Sequence, residues 1–427
     1  MRPIFLQNLR ILDPETRLDV TGDILIMDGR IAAIGDEISP PDDVRMVDCS
    51  GMWAAPGLMD MHVHLREPGE EYKETIETGT LAAVAGGFTA VASMPNTNPV
   101  NDTSAVTRFV IERAISAGYA SVYPVASITK GLKGKELSEF ADLMGAGAVA
   151  FSDDGYPVSD PGMMRLALEY AKGLGALIIS HAEELALSSG GVLNEGRIST
   201  ILGLKGIPSA AEDIAVFRDV CLAEFTGARL HIAHVSTIGA VQIIRQAKAM
   251  GVKVTAETAP HYFSLTEEAV LGYDVNAKVN PPLRTEEDRL AVIDGLRDGT
   301  IDVIATDHAP HSILEKEKEF ETAANGMIGL ETALPLALEL VRAGVLTPLE
   351  LIRRMSLNPR KILGIQGGRI KPGGAADLCV IDPEAMFVVN RENLRSRSLN
   401  TPFLGKTLKG RAVLTVSCGK IVHNLLW

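Results

Sequence analysis

The sequence predicts an α/β protein, a (β/α)8 barrel of the TIM type that carries a small β-sandwich built from both chain termini. Two patterns indicate this fold: apolar strand-like segments alternate with helical stretches through the centre of the chain, whereas both ends contain only strand-like segments. The length of 427 residues is sufficient for a barrel and a second domain. We expect residues 1–55 and 366–427 to form the sandwich and residues 56–365 to form the barrel.

The terminal segments read as short strands and hairpins. Residues 23–27 and 30–34 flank Asp28-Gly29, a dipeptide typical of a two-residue hairpin turn. Near the other end, residues 376–381 form one apolar strand, and residues 412–416 lead into a second hairpin. Each terminal piece is too small to bury a two-sided sheet by itself, so we expect the two pieces to pair.

The central region contains eight predicted strands. Helical stretches between them are predicted at residues 75–85, 104–117, 161–174, 210–225, 240–250 and 286–296, among others. Strands that alternate with helices indicate a parallel sheet, and eight such units fit a closed barrel. Polar side chains follow the strands at the carboxyl ends, where barrel enzymes build their active sites. The strands are predicted to end near His64, Asn96, Ser127, Asp154, His181, Ser236, His261 and Asp307.

Composition excludes several classes of function. A net charge of −13 argues against non-specific nucleic-acid binding, which needs a basic surface. No run of 18 apolar residues indicates a membrane-spanning helix, and the N-terminus lacks the apolar segment of a signal peptide. The four cysteines are far apart and form no CxxC pair, as is usual in a reducing compartment. We therefore expect a cytoplasmic protein.

The first predicted barrel strand ends in a pair of histidines. Successive side chains on a strand alternate between faces, so His62 and His64 point the same way, and Arg66 continues that face. Two imidazoles on one side of a rigid element suit a divalent transition metal, above all zinc.

Further ligand candidates follow strands 5, 6 and 8. His181 ends strand 5, while His231 and His234 lie an odd number of residues apart, so only one of the two faces the barrel interior. We favour His234 because Ser236 shares its face. Asp307 ends a buried apolar run, where an unpaired carboxylate is costly, and a metal or proton partner explains it better than a helix N-cap does.

Strand 4 ends in two adjacent carboxylates, Asp153 and Asp154, which face opposite ways. Either one could bridge two metal ions. With four histidines and two aspartates at the strand ends, the barrel has enough ligands for one or two ions that jointly activate a water molecule.

The chain resembles the bacterial type I dihydroorotases of the cyclic amidohydrolase superfamily, essentially from end to end. The histidine pair alone would indicate only the superfamily. Arg66, the Asn-Pro-Pro-Leu-Arg segment and the Asp-His-Ala-Pro-His segment narrow the resemblance to dihydroorotases. The segments that carry it are HxHxREPG at 62–69, Met-Pro-Asn-Thr at 94–97, Ser-Asp-Asp-Gly at 152–155, Asn-Pro-Pro-Leu-Arg at 280–284 and Asp-His-Ala-Pro-His at 307–311.

The resemblance implies a specific set of metal ligands. His62 and His64 would bind one zinc ion with Asp307, and His181 and His234 would bind a second. The bridging position falls on Asp154, where many relatives have a carboxylated lysine. The absence of a lysine on strand 4 counts against a hydantoinase or an allantoinase. An aspartate has a shorter reach, so the resemblance leaves open one or two zinc ions per subunit.

The resemblance also implies the reaction. Zinc would activate a water molecule for reversible hydrolysis of dihydroorotate to N-carbamoyl-L-aspartate in pyrimidine biosynthesis. Asp307 would act first as the general base and then as the general acid.

The resemblance places several side chains against the substrate. Arg66 would bind the substrate carboxylate through paired hydrogen bonds, in a site shared with His64, Asn96 and His311. Asn280 and the backbone at Asn325-Gly326 would contact the ring, although many relatives have an aromatic residue at 325. Residues 312–326 follow strand 8 and are rich in Glu and Lys. They are consistent equally with a lid over the substrate and with a solvated surface loop.

The expected partner is a small-molecule substrate, with no nucleic acid and no membrane. The resemblance further implies a homo-oligomer, such as a dimer, that could associate with aspartate transcarbamoylase. A catalytically silent assembly subunit would be expected to have lost metal ligands, and every ligand is present here.

Overall fold

The computed structural model describes residues 2–427, and its centre is a barrel of eight parallel strands. Neighbours in the barrel are neighbours in the chain, from the first strand to the eighth. A parallel bridge between Val63 and His308 links the first strand to the segment after the last, which closes the barrel. The barrel strands are β6 (Leu58–Val63), β7 (Phe88–Ser93), β8 (Ser121–Ala126), β9 (Ala150–Ser152), β10 (Leu177–Ser180), β13 (Arg229–Ile232), β14 (Val254–Thr258) and β15 (Val303–Ile304).

Helices connect these strands, as the alternating pattern predicts. Their starts follow local capping chemistry: the Asp160 side chain accepts a hydrogen bond from the Met163 amide, and Pro161 occupies the first turn. The helices are α1 (Ile76–Ala85), α2 (Ser104–Ala117), α3 (Phe140–Ala146), α4 (Pro161–Leu174), α5 (Leu185–Ser188), α6 (Arg197–Leu202), α7 (Ala210–Thr226), α8 (Ile238–Ala249), α9 (Pro260–Ser264), α10 (Glu286–Asp298), α11 (Ile313–Lys316), α12 (Ala333–Arg342), α13 (Pro348–Ile352) and α14 (Asn358–Leu363).

The six predicted helices all exist, with small shifts at their ends. The largest shifts are at the start of α8 and at the end of α10, which continues to Asp298. Helix α8 begins at Ile238 because the Thr237 side chain caps it by accepting from the Ala240 amide. Among residues 2–427, no helix has both the length and the apolar character required to cross a membrane.

The two chain termini pair with each other, as predicted, and together they form one eight-stranded sheet beside the barrel. In this sheet β5 (Trp53–Pro56) pairs with β1 (Ile4–Asp13) from the N-terminal segment and with β16 (Leu378–Val388) from the C-terminal segment. Apolar side chains of both segments, such as Ile24 and Val380, share one buried cluster. The strands are β1 (Ile4–Asp13), β2 (Leu18–Met27), β3 (Arg30–Gly35), β4 (Arg45–Asp48), β5 (Trp53–Pro56), β16 (Leu378–Val388), β17 (Thr407–Ser417) and β18 (Lys420–Asn424), and a separate two-stranded sheet consists of β11 (Leu193–Asn194) and β12 (Gly206–Ile207).

The terminal sheet leads directly into the first barrel strand through Gly57. A Cβ atom at this position would lie 2.2 Å from the Thr89 hydroxyl oxygen, so the close approach of β7 requires glycine here. The glycine thus joins the sheet to the strand that carries His62 and His64.

Candidate metal centre and substrate site

The four histidines favoured by the sequence meet at the carboxyl ends of the barrel strands. His62, His64, His181 and His234 are all buried, with at most 5% of each residue exposed. They come from three parallel strands or the residues just beyond them, so the barrel geometry brings them together.

Asp154 lies at the centre of this cluster. One of its carboxylate oxygens, Oδ1, lies 3.3 Å from His62 Nε2 and 3.5 Å from both His181 Nδ1 and His234 Nε2. The other oxygen, Oδ2, lies 3.5 Å from His64 Nε2. Ligand atoms of His62, His64 and Asp154 lie within 4.8 Å of one another, and so do those of Asp154, His181 and His234. The geometry defines two adjoining groups that could each hold a metal ion and that share one carboxylate.

Asp307 borders the first of these groups. Its Oδ1 atom lies 3.2 Å from His64 Nε2 and 3.5 Å from His62 Nε2. Burial would raise the pKa of this carboxyl group, but the neighbouring histidines outweigh burial and hold the pKa below its ordinary value. The group is therefore ionised at neutral pH, as a metal ligand or a base must be.

The structure separates the two pairs of residues that the sequence left as alternatives. Asp153 turns away from the histidines and accepts hydrogen bonds from the Ile128 and Thr129 amides, so it is Asp154 that faces them. Similarly, His231 contacts Thr255 and Glu257, whereas His234 Nε2 lies 2.9 Å from His181 Nδ1.

Two buried polar atoms in the cluster indicate that a cation fits it. His62 Nε2 and Asp154 Oδ1 are buried and have no hydrogen-bond partner among the described residues, although such groups are normally satisfied. Burial should lower the pKa of His62, yet the Asp154 and Glu257 carboxylates hold it well above the ordinary value. The site therefore stabilises positive charge, and imidazole and carboxylate are donors that bind zinc.

Further side chains contact the clustered histidines, and the sequence pattern predicts none of these contacts. His62 Nδ1 lies 2.6 Å from Glu257 Oε1, and His181 Nε2 lies 3.3 Å from Glu183 Oε2. His64 Nδ1 lies 2.8 Å from the Asn96 side-chain oxygen. The available signal was Glu257 itself, a charged residue inside the largely buried strand β14.

Arg66 and His311 lie together beside the histidine–carboxylate cluster. The Arg66 Nη2 atom lies 3.3 Å from His311 Nε2, and its Nε atom donates to the Pro310 carbonyl oxygen. The nearest carboxylate oxygen paired with this guanidinium belongs to Glu70, at 3.9 Å, although only 8% of Arg66 is exposed. A buried guanidinium without a close counter-ion can accept a substrate carboxylate.

The remaining candidate residues are held by internal contacts. Asn280 donates to Glu183 Oε2 at 3.1 Å, which fixes the orientation of its amide. The Asn325 carbonyl oxygen lies 2.8 Å from His311 Nε2. The Gly326 amide donates to the Lys278 carbonyl, and a Cβ atom at Gly326 would lie 2.7 Å from the Ala309 Cβ atom. Contact of these three residues with a substrate stays a prediction.

Three of the candidate site residues have strained backbones. Arg66, His234 and Asp307 have φ angles of 61°, 36° and 50°, in the left-handed region that non-glycine residues rarely adopt. Each such residue costs about 1–3 kcal/mol, and such strain clusters at functional sites.

The closed parallel barrel and its buried histidine–carboxylate cluster define a metal-dependent barrel enzyme. The dihydro-orotase-like family matches residues 51–239. The chain is 57% identical to the dihydroorotase of Geobacter metallireducens and 56% identical to that of Syntrophus aciditrophicus, with 99% of each chain covered in both comparisons. The chain therefore belongs to the dihydroorotase family.

Solved structures of cyclic-amide hydrolases share the fold. The L-hydantoinase of Arthrobacter aurescens superposes with a TM-score of 0.87 at 27% identity, covering 99% of this chain and 96% of that one. The dihydropyrimidinase of Brevibacillus agri superposes with a TM-score of 0.83 at 23% identity, covering 99% and 95%. The second likeness supports the fold alone.

Proposed function

We propose that this protein is a zinc-dependent dihydroorotase, which hydrolyses (S)-dihydroorotate reversibly to N-carbamoyl-L-aspartate in pyrimidine biosynthesis. The observation that carries the proposal is the placement of a buried guanidinium, Arg66, whose nearest paired carboxylate oxygen is 3.9 Å away, beside a histidine–carboxylate cluster that could hold metal. The cluster suits hydrolysis of an amide, and the guanidinium suits a substrate that carries a carboxylate. The relatives named dihydroorotase over their full length support the same substrate.

Our proposal assigns His62, His64 and Asp307 to one zinc ion, His181 and His234 to a second, and Asp154 to both. Charge balance supports two ions over one. Asp154, Asp307, Glu183 and Glu257 place four carboxylates on or beside the histidines, and burial makes uncompensated charge of this size costly. Two divalent ions would balance it.

The substrate would enter with its carboxylate toward Arg66, whose free N–H groups can donate two parallel hydrogen bonds. Asn96 and His311 would border the same carboxylate, as would His64. Asn280 and the backbone at Asn325-Gly326 would contact the ring. Because Glu183 holds the Asn280 amide nitrogen, the amide oxygen is left to accept from a ring N–H group.

Zinc bound in the cluster would polarise the scissile carbonyl and lower the pKa of a water molecule to about 7. Asp307 would take the proton of the attacking water and deliver it to the leaving ring nitrogen, first as general base and then as general acid. Its position 3.2 Å from His64 Nε2 supports this role, because it places the carboxylate at the edge of the metal cluster.

A ring-opening assay tests the proposal. The purified, zinc-loaded protein should hydrolyse dihydroorotate and, from the other direction, cyclise N-carbamoyl-L-aspartate. Hydantoin and allantoin, which lack the carboxylate, serve as comparison substrates. A protein that holds zinc, leaves dihydroorotate unchanged and hydrolyses hydantoin or allantoin would contradict the proposal.

We also propose that the enzyme forms a homo-oligomer, such as a dimer, and associates with aspartate transcarbamoylase. Exposed apolar side chains on adjacent helices support an interface: Ile214, Phe217 and Phe225 on α7 and Leu166 on α4. Light scattering of the purified protein, alone and mixed with aspartate transcarbamoylase, tests both assemblies. A cytoplasmic location is part of the proposal and rests on four free cysteines.

A further inference from the structure

One buried carboxylate next to the metal cluster serves no ligand role in the proposed site. Glu257 lies in β14, and only 1% of it is exposed. Its Oε1 atom lies 2.6 Å from His62 Nδ1, and its Oε2 atom lies 3.3 Å from His231 Nε2. A single carboxylate thus contacts one ligand histidine and one histidine that faces away from the metal cluster.

His231 is itself held from its other side. Its Nδ1 atom lies 2.8 Å from the Thr255 hydroxyl oxygen, and the two residues are directly paired across β13 and β14. When the hydroxyl donates to Nδ1, the proton of His231 is on Nε2 and faces Glu257. The buried carboxylate then accepts a hydrogen bond from His62 at Oε1, and the His231 N–H group faces Oε2 across 3.3 Å.

This arrangement fixes the tautomer of His62. A proton on Nδ1, donated to Glu257, leaves the lone pair of Nε2 directed at the cluster, where it lies 3.3 Å from Asp154 Oδ1. The opposite tautomer would place a proton where the metal must bind. A carboxylate in this position also orients the ring and makes it a more basic ligand.

Among the contacts that carboxylates and amides make with the outer ring nitrogens of these histidines, the contact of Glu257 with His62 is the shortest. The second nitrogen of His64 meets only a neutral amide, that of Asn96. His181 meets Glu183 at the longer distance of 3.3 Å, and the Glu183 side chain is 12% exposed. Screening by solvent is weakest at Glu257, so its charge acts most strongly on its histidine.

We propose that Glu257 and His231 are positioning residues that set the tautomer and orientation of His62, and through it the zinc affinity of the site that His62 shares with His64. The inference deepens the proposed function and rests on its assignment of His62 as a ligand. It also gives a role to His231, which otherwise would be a histidine in a barrel strand without a function.

Zinc competition with a fluorescent chelator, on folded metal-free protein, tests the proposal. A His62→Ala variant first identifies which step of the titration depends on His62. Glu257→Gln keeps the size of the side chain and removes its charge, and Thr255→Val removes the hydroxyl that holds His231. Glu212→Gln is the matched control, because Glu212 is a buried carboxylate of the same protein that hydrogen-bonds Ser236 and Thr237 and none of the ligand histidines.

We expect Glu257→Gln to weaken zinc binding at the His62-dependent step by about 10- to 100-fold. Thr255→Val should weaken the same step by about two- to tenfold, the effect of one hydrogen bond. Glu212→Gln should leave the step unchanged even where it lowers the melting temperature, a difference that a purely structural role of Glu257 would not produce.

An unshifted step in Glu257→Gln, an equal shift in Glu212→Gln, or a titration that His62→Ala leaves unaltered would each overturn the proposal. If Glu257→Gln does not fold, Thr255→Val decides, and an unshifted step in that variant has the same consequence. The titrations do not depend on turnover. A wild-type protein that binds zinc but leaves dihydroorotate unchanged would refute the proposed function, and the zinc affinities could still be compared.

Discussion

Replacement of Arg66 by lysine tests the substrate assignment most directly. Lysine keeps the positive charge but offers a single ammonium in place of the planar pair of N–H groups that matches a carboxylate. Arg66 is buried, its Nε atom donates to the Pro310 carbonyl oxygen, and its closest paired carboxylate oxygen is 3.9 Å away. The outer N–H groups are therefore the ones available to a substrate.

The size of the effect follows from the hydrogen bonds that are lost. A hydrogen bond to a charged group contributes about 1.5–3 kcal/mol, and each 1.4 kcal/mol corresponds to a factor of about ten. Loss of one of two such bonds in Arg66→Lys should lower kcat/KM for dihydroorotate by about 10- to 100-fold. Loss of both in Arg66→Ala should lower it by about 100- to 10,000-fold. Since the carboxylate is remote from the scissile bond, most of the change should be in KM.

Steady-state kinetics on zinc-loaded variants, with metal content and melting temperature measured on the same samples, checks this prediction. Arg165→Lys is the matched control, because Arg165 is half exposed on α4 and pairs with Glu169 on the same helix. It should leave kcat/KM unchanged. An Arg66→Lys variant with normal metal content and near-normal kcat/KM would refute the assignment of Arg66 to the carboxylate.

Three further predictions concern the proton donor, the metal and the loop after the eighth strand. Asp307→Asn should lower kcat by at least about 100- to 10,000-fold, the usual contribution of a general acid–base group, while most zinc is retained; near-normal kcat would contradict the role of Asp307. Removal of metal with a chelator should abolish ring opening and lower the melting temperature, and zinc at about 100 times its Kd should restore about 2.7 kcal/mol of stability; activity that survives complete metal removal would contradict the metal assignment. Lys316→Met should lower the free energy of unfolding by about 2–4 kcal/mol in denaturant titrations, because the buried ammonium donates to the Ala324 and Gly326 carbonyl oxygens; an unchanged value would mean that these carbonyls find other partners.

The barrel and the meeting of histidines at the strand ends were predictable because both follow from periodicity, whereas the choice of Asp154 rested on the family resemblance. Side chains on a strand alternate with a period of two, so the pairing of His62 with His64 could be read directly. The same rule excluded one member of the pair His231 and His234, and the structure leaves His234 in the cluster. Alternation with helices predicted parallel strands, and parallel strands place all their carboxyl ends on one face.

Contacts between distant segments were not predictable from such local patterns. Glu257 is 195 residues from His62 along the chain, and no local pattern links them. The loop at 312–326 is a second example, since its lysines were consistent with a solvated surface. In the structure Lys316 is buried, and Lys278 from another segment donates to the Phe320 and Ala323 carbonyl oxygens. The side chains of Lys278 and Lys316 therefore hold this loop through its backbone carbonyl oxygens. The charge pattern of the sequence does not show that a lysine is buried.

Asp154 shows how tertiary geometry can compensate for a short side chain. A bridging aspartate reaches less far than a carboxylated lysine, which made the occupancy of both metal positions uncertain at the level of sequence. In the structure the Asp154 carboxylate lies within 3.5 Å of a ring nitrogen of each of the four histidines. His234, one of these four histidines, has a strained backbone with a φ of 36°, and such strain clusters at functional sites. One short carboxylate therefore belongs to both groups of residues that could hold a metal ion, so an aspartate in place of the lysine does not argue against a two-metal site.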